Sequence, residues 1–383
     1  MTPRPSERRK RTPPQPWPES PRALRVLVAG GAGMIGSHLC DYLLARGHEV
    51  ICLDNLVTGR LANLTASLAH PRFCFVQHDV ILELPPFPRL DHVYHLASPA
   101  SPPGYTRVPI ETLRVNGEGT RRLLELTHRH GARMLYSSTS QTYGDPLEHP
   151  QSEEYRGNVS CTGPRSMYDE AKRYGEALTV AYVRHHGVDA RVVRIFNTYG
   201  PRSDPEDGRL VVNLITQALR RRPMTVYGNG TQTRSLCYVT DLVDGLVRAM
   251  DAPGTKGEVI NLGSPEEHTV LEFAQMLREM TGSDSELLFT EPAVGDDPHV
   301  RCPEIRKARA LLGWEPQIGV REGFLRTIDY FRAELGVTPA PAVPHPASDG
   351  NRPGEPDPGP STPRSSAPAP AGRRPAPGRP SPP

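Results

Sequence analysis

Arg25-Val-Leu-Val-Ala-Gly30-Gly-Ala-Gly33-Met-Ile-Gly36 decides how this chain is to be read. A short apolar run enters a turn with glycines at three-residue spacing, and a helical pattern leaves it with Ile35, Leu39, Leu43 and Leu44 on one face. Gly47 ends that helix and Glu49–Asp54 supplies a second strand, which completes a β-turn-α-β unit. Glycines at such a junction permit a tight turn and let the backbone approach a pyrophosphate, whose charge meets the helix N-terminus. Asp54 closes the second strand where a carboxylate accepts hydrogen bonds from an adenosine ribose and repels a 2′-phosphate. The pattern points to NAD, with Arg60 leaving NADP as the lesser alternative. Asp79 follows the third strand, placed for the adenine edge.

Strand-like runs recur at Phe73–Val76, His92–Leu96, Met134–Ser137 and Ala190–Ile195, with helical patterns at Ile110–His130 and Ser166–His186 between them. This alternation predicts an α/β fold built on a doubly wound parallel sheet of Rossmann type. An NAD-binding domain with the catalytic residues is expected over residues 22–196. Beyond it the rhythm weakens: helical stretches Val211–Arg221, Thr240–Met250 and Val270–Thr281 alternate with short strands near Met224–Tyr227 and Gly257–Leu262. Residues 197–335 read as a smaller C-terminal α/β lobe, mainly for the substrate and interleaved with the first domain. Residues 1–21 and the Pro-rich 338–383 hold too little apolar surface to offset ordering entropy, so both are expected to be disordered tails.

The formal net charge is +2, with acids and bases interspersed, so the basic stripe of a nucleic-acid binder is missing. Cys40, Cys52, Cys74, Cys161, Cys237 and Cys302 form no C-x-x-C pair and read as buried free thiols of a reducing compartment. The histidines lack metal-ligand spacing, so no metal is expected. The apolar run Leu24–Ile35 is short and broken by glycines, which argues against a membrane span and for a cytoplasmic protein.

Tyr168-Asp-Glu-Ala-Lys172 places a phenol and an ammonium one helical turn apart on one face. A phenol is a poor base near neutrality, and a nearby ammonium favours its phenolate. Ser137-Ser-Thr-Ser-Gln141 ends a strand, and its Thr139 can hydrogen-bond a substrate hydroxyl or the carbonyl that replaces it. Proton removal by Tyr168 with hydride transfer to a nicotinamide oxidises an alcohol.

Taken in chain order, these motifs resemble the extended short-chain dehydrogenase/reductases, whose sugar-nucleotide members include 4-epimerases, 4,6-dehydratases and decarboxylases. The likeness runs from about Leu24 to Phe331 and extends to His95-Leu-Ala-Ser-Pro-Ala-Ser-Pro-Pro103, Gly163-Pro-Arg165, Arg194-Ile-Phe-Asn-Thr-Tyr-Gly-Pro201, Val226-Tyr-Gly-Asn-Gly-Thr-Gln-Thr-Arg234 and Leu311-Leu-Gly-Trp-Glu-Pro316. These segments are most similar to the decarboxylase branch. The resemblance implies conversion of UDP-glucuronate to UDP-xylose through a 4-keto sugar, with NAD recycled in each turnover. It implies cofactor contacts at Gly30, Gly33, Met34, Ile35, Gly36, Asp54, Asn55, Thr58, Gly59, Asp79, Val80, Leu96, Ser98, Tyr168, Lys172 and Thr198. Substrate contacts are implied at Arg114, Asn116, Asn197, Arg234 and Arg301, with Arg234 suited to a diphosphate. Asn116 also suits a helix polar residue that holds the active-site backbone or a water.

Within the family, Ser140 matches decarboxylases and argues against a dehydratase, which needs a proton donor there. Gln141 departs from the usual Glu: it keeps the size and a carbonyl acceptor but cannot ionise. Arg301 matches an arginine that faces the uronate carboxylate, and Cys302 stands where the family has Lys. The catalytic set is therefore Thr139, Ser140, Gln141, Tyr168, Lys172 and Arg301. Two other readings compete: uronate 4-epimerisation, and a weakly active NAD-binding homologue. Helices 110–130 and 166–186 carry apolar stripes beyond what a sheet needs, and in relatives such helices pair, so a homodimer is expected.

Overall fold

The sheet starts where the apolar run starts. Strand β1 (Arg25–Ala29) sends Val26 and Val28 to one face and Leu27 and Ala29 to the other, and all four are buried. The computed structural model describes residues 22–291 and 298–337; the stretches expected to be tails, 1–21 and 338–383, lie outside the described residues, as do Asp296 and Asp297. After β1 come α1 (Met34–Ala45), β2 (Glu49–Asp54), the short α2 (Thr65–Leu68), β3 (Phe73–Gln77) and β4 (His92–His95). Helices α3 (Pro102–Arg107), α4 (Pro109–Arg114) and α5 (Thr120–His130) follow, the last two joined by a π-helical turn over Val115–Gly119. Next are β5 (Arg133–Thr139), α6 (Ser166–His186) and β6 (Asp189–Ile195).

Beyond residue 196 lie β7 (Thr198–Tyr199), α7 (Leu210–Leu219), β8 (Met224–Tyr227), β9 (Thr233–Ser235), β10 (Cys237–Tyr238) and α8 (Val239–Asp251). They are followed by β11 (Val259–Leu262), β12 (Glu267–Thr269), α9 (Val270–Thr281), β13 (Leu287–Thr290), α10 (Arg306–Leu312) and α11 (Val320–Leu335).

Seven strands form the central sheet in the order β3-β2-β1-β4-β5-β6-β11, and every pair in it is parallel. This is the expected doubly wound Rossmann-type sheet. Its order reverses between β1 and β4, and the crevice outside that switch point is where such sheets take ligands. Helix α8 packs with α1 on one face, where Leu242 and Leu246 join Val26, Val28 and Val193 in one core. Helix α5 covers the other face, burying Leu123 and Leu124 with Leu27, Val93 and Met134. The region after residue 196 thus gives the sheet both an edge strand and a covering helix. It also forms three two-stranded pairs, β7–β10, β9–β12 and β8–β13. Among the described residues no helix is long and apolar enough to cross a membrane.

Two expectations need correction. Cys74 and Cys161 are exposed, not buried. Cys74 lies on β3, the sheet edge, where alternate side chains meet solvent; the other four thiols are buried. The helix expected over Ile110–His130 is interrupted by the π turn, which moves Asn116 out of the regular helical rows.

Trp314 shows how the C-terminal segment is latched to the sheet. Its ring is fully buried and its Nε1 donates to the Asp241 carbonyl of α8 at 2.9 Å, while the Asp241 carboxylate accepts from the Gln317 and Ile318 amides. Trp314→Ala is expected to lower unfolding free energy by about 3–5 kcal/mol in chemical denaturation, because a large cavity and a lost hydrogen bond coincide.

Candidate active site

Strain and close approach shape the turn after β1. Gly30 adopts φ +83°, and a side chain there would meet the Ala97 amide nitrogen at 2.5 Å, so the turn presses directly on the chain leaving β4. A side chain on Gly36 would strike the Gly30 carbonyl oxygen at 2.2 Å, which seats α1 against the turn. Gly33, the N-cap of α1, differs: a side chain there would meet only the Gly30 oxygen, at 3.4 Å. Its outer side is open, and the amides of Met34, Ile35 and Gly36 precede the first helical bond, made by Ser37 to the Gly33 carbonyl. An open glycine over the positive end of a twelve-residue helix fits a pyrophosphate.

Asp54 ends β2 nearly buried. Its Oδ2 accepts from the Ala32 amide at 2.9 Å and its Oδ1 from the Leu56 amide at 2.8 Å. Burial raises its pKa, and these two amide bonds oppose the rise. The carboxylate therefore ties the glycine turn to the loop after β2, with lone pairs left for a ribose. Gly59 packs on it, since a side chain at 59 would lie 2.7 Å from Oδ1 and 2.9 Å from the Ala32 Cβ; Thr58 is exposed in the same loop. Asn55 donates to Asp79 at 2.9 Å, and Asp79 accepts from the Ile81 amide beside the buried Val80. Arg60, the residue that kept NADP open, turns to the Glu334 carboxylate and the Ser203 carbonyl. Leu96 and Ser98 follow β4; the Ser98 hydroxyl accepts from Asn116 Nδ2 at 3.0 Å. Thr198 lies in β7, its hydroxyl bonded to the Phe196 carbonyl.

The chemistry expected of Tyr168 and Lys172 sits on α6 where it crosses the end of β5. Tyr168 is buried, with its ring stacked on Tyr105 at 5.0 Å between centroids. Burial pushes its phenol up to about 12, and a hydrogen bond from Thr139 opposes this. Lys172 donates to the Ser137 carbonyl at 2.8 Å, and its Nζ lies 5.9 Å from the Tyr168 ring centroid. Burial pulls its ammonium down to about 7, against the pull of Glu176. Desolvation thus works against both charged forms, opposed at the phenol by Thr139 and more weakly by Arg209, and at the amine by Glu176.

At the other end of the site, Ser140 and Gln141 form a 3₁₀ turn capped by Thr139. Gln141 Oε1 accepts from Arg301 Nη2 at 3.0 Å, and Arg301 Nη1 donates to Asn197 Oδ1 at 3.4 Å. Three residues singled out separately therefore meet. Arg234 is buried and donates to the Thr233 and His299 carbonyls. Cys302 is buried beside the Pro265 carbonyl. Arg114 stands on the helix surface, paired with Glu118. Asn116 bridges Ser98, the Thr112 carbonyl and the Tyr136 hydroxyl, and so braces strands against helix.

Sequence reasoning gave no role to Tyr105, Tyr136, Glu176 or the side chain of Arg194. Glu176 had a usable signal, since it lies one turn beyond Lys172 on the same helix face. Tyr105 had none, because its stacking depends on the path of α3.

A family model described as the NAD dependent epimerase/dehydratase family matches residues 26–263. UDP-glucuronic acid decarboxylase 1 of Xenopus tropicalis is 50% identical over 311 residues, 81% of this chain and 73% of that protein. UDP-glucuronic acid decarboxylase 5 of Arabidopsis thaliana is 48% identical over 339 residues, 86% of this chain and 98% of that protein. Among solved structures, the UDP-glucuronic acid 4-epimerase of Bacillus cereus in complex with UDP-glucuronic acid and NAD superposes with a TM-score of 0.73 at 29% identity, covering 81% of this chain and 100% of that one.

The two glycines of the turn should separate binding from folding. Gly36→Ala is expected to destabilise the protein by about 1–3 kcal/mol, because the backbone must move. Gly33→Ala should leave unfolding unchanged while weakening NAD binding about tenfold in calorimetric titration. Equal loss of stability in both would contradict this division.

Proposed function

The chain belongs to the NAD dependent epimerase/dehydratase family, and we propose that within it this protein is an NAD-dependent UDP-glucuronate decarboxylase that forms UDP-xylose. The observation that carries the reading is the meeting of Arg301 with the Ser140–Gln141 turn beside Tyr168, in a chain half identical to decarboxylases. A guanidinium at that point suits the carboxylate of a uronate.

When bound, NAD would supply a reversible hydride acceptor for C4, so none would be consumed overall. Gly30, Gly33 and Gly36 would hold its pyrophosphate at the start of α1, and Asp54 would take the adenosine ribose. Tyr168 accepts the proton of the sugar C4 hydroxyl, while Thr139 orients that oxygen. The resulting C4 ketone lies β to the C5 carboxylate. The bond from C5 to the carboxyl carbon then breaks, carbon dioxide leaves, and the electron pair passes into the C4 enolate. Arg301 holds the carboxylate until it departs, and Gln141 holds Arg301. Gln141 cannot give a proton, so C5 is protonated from water. Tyr168 finally returns its proton to the C4 oxygen as the ketone is reduced. Ser140 leaves the turn without the carboxylic acid that loss of water would need.

Two further points belong to this reading. Ile110, Leu113 and Tyr174 are exposed on α4 and α6, which supports a homodimer paired through these helices. Six unpaired cysteines support a reducing, cytoplasmic location.

Incubation with UDP-glucuronate should release carbon dioxide and a UDP-pentose with no net NADH, measured by product chromatography and absorbance at the nicotinamide band. UDP-galacturonate without carbon dioxide would replace the proposal with 4-epimerisation. Tyr168→Phe is expected to lower kcat by about 10²–10⁴-fold with little change in KM, since only the proton transfer is lost.

A further inference from the structure

Glu176 occupies a place that the chemistry above does not use. It lies on α6 one turn beyond Lys172, and both side chains reach consecutive residues of β5: Lys172 the Ser137 carbonyl, Glu176 the Ser138 hydroxyl. Arg194 of β6 grips the same carboxylate with two parallel bonds, Nε to Oε1 at 2.9 Å and Nη2 to Oε2 at 2.8 Å. Its remaining Nη1 donates to the Tyr143 hydroxyl at 3.0 Å and the Glu153 carbonyl at 3.2 Å. Tyr143 donates to Asn261 Oδ1 at 2.8 Å, and the Asn261 side chain donates to the Gln151 carbonyl at 3.0 Å. Gln151 Oε1 in turn accepts from the amide of Cys302, the residue after Arg301. A largely buried polar chain therefore runs from Glu176, one turn from Lys172, to the residue that follows Arg301.

We propose that Glu176 is a positioning residue: clamped by Arg194 and Ser138, its carboxylate keeps Lys172 an ammonium against the end of β5, and the clamp ties that charge to the segment bearing Arg301. This rests on the proposed role of Tyr168 and Lys172.

The surroundings of Lys172 leave this work to Glu176. On α6 it faces Tyr168 and Glu176; on β5, Tyr136 at 5.2 Å from ring centroid to Nζ, and the Ser137 carbonyl; on β4, His95. The π turn adds neutral Asn116 through Tyr136, and β6 adds Arg194 behind Glu176. Burial and Lys172 itself hold His95 down to about 3, so it stays neutral. Burial drives the Tyr136 phenol well up, so it is neutral too. Among the described residues Glu176 is the anion that acts on Lys172. Its pairing with Arg194 is bidentate and mostly buried, which fixes the carboxylate in place.

The decisive comparison uses both halves of the clamp. Glu176→Gln and Arg194→Met each break one buried ion pair, so a merely structural role predicts equal effects on stability and on everything else. The positioning role predicts that they diverge. Removing the carboxylate takes away the anion one turn from Lys172, whereas removing the guanidinium leaves it in place.

The chain holds four lysines, Lys10, Lys172, Lys256 and Lys307, so selective carbon-13 labelling at Cε lets the charge of Lys172 be titrated by NMR with no substrate present. In Glu176→Gln its midpoint should fall by about one pH unit, and in Arg194→Met it should hold or rise. In turnover with UDP-glucuronate, Glu176→Gln should lower kcat about tenfold or more at neutral pH with KM changed less than about twofold. The acid limb of its pH profile should move upward, because a neutral lysine no longer favours the Tyr168 phenolate. Glu176→Asp should recover part of the loss. An unmoved Lys172 midpoint in Glu176→Gln, or equal shifts in both variants, overturns the inference. Failure of the wild-type product assay would instead count against the decarboxylase reading, since the titration needs no product.

Discussion

The rest of the molecule depends on one backbone contact: Gly30, in a left-handed conformation, lies against Ala97 with no room for a Cβ. That contact brings the turn after β1 flush with the chain leaving β4, across the point where the strand order reverses. The carboxyl ends of β1, β2, β4 and β5 then open onto one crevice, which gathers the glycine turn, Asp54, Ser98 and Thr139. Asp54 reinforces the arrangement through its bond to the Ala32 amide, so the residue suited to a ribose also braces the turn suited to a phosphate.

Within the crevice, desolvation is the dominant field. It raises Tyr168 and lowers Lys172, which weakens both as charged groups. The balance between charged and neutral forms of these two groups is therefore set by specific partners rather than by solvent. Thr139 opposes the shift at the phenol and Glu176 opposes it at the amine. The tyrosine and lysine are therefore one part of a longer buried network, whose other members lie on β6 and in the loops that carry Arg301.

Much of this was legible in the residues. Short apolar runs located β1 and β2 to the residue, and the glycine spacing located the turn, because both signals are local. The Tyr168–Lys172 pair was legible for the same reason: one helix supplies both side chains. What stayed hidden depends on pairing across long separations. Nothing local in Val259–Leu262 says that it joins the sheet beside β6. The π turn at Val115–Gly119 looks like ordinary helix in sequence, since its distortion comes from packing around Asn116. Cys74 has the apolar neighbours of a buried strand, and only the strand order reveals that it sits at an edge. Gln141 and Arg301 were each singled out, but their bond joins residues 160 positions apart.

The placement of β11 also bears on how the polypeptide matures at the ribosome. A nascent chain that has emerged only through β6 has Val192–Ile195 as an unpaired parallel edge, a template for association with other chains. Closure of that edge waits until Leu262 has been made, well after the dinucleotide turn is available. The same zipping sets Asn261 opposite Arg194, so closing the sheet edge also brings the Asn261 link of the polar network into place. Premature termination anywhere between them would yield a sticky fragment rather than a smaller working unit.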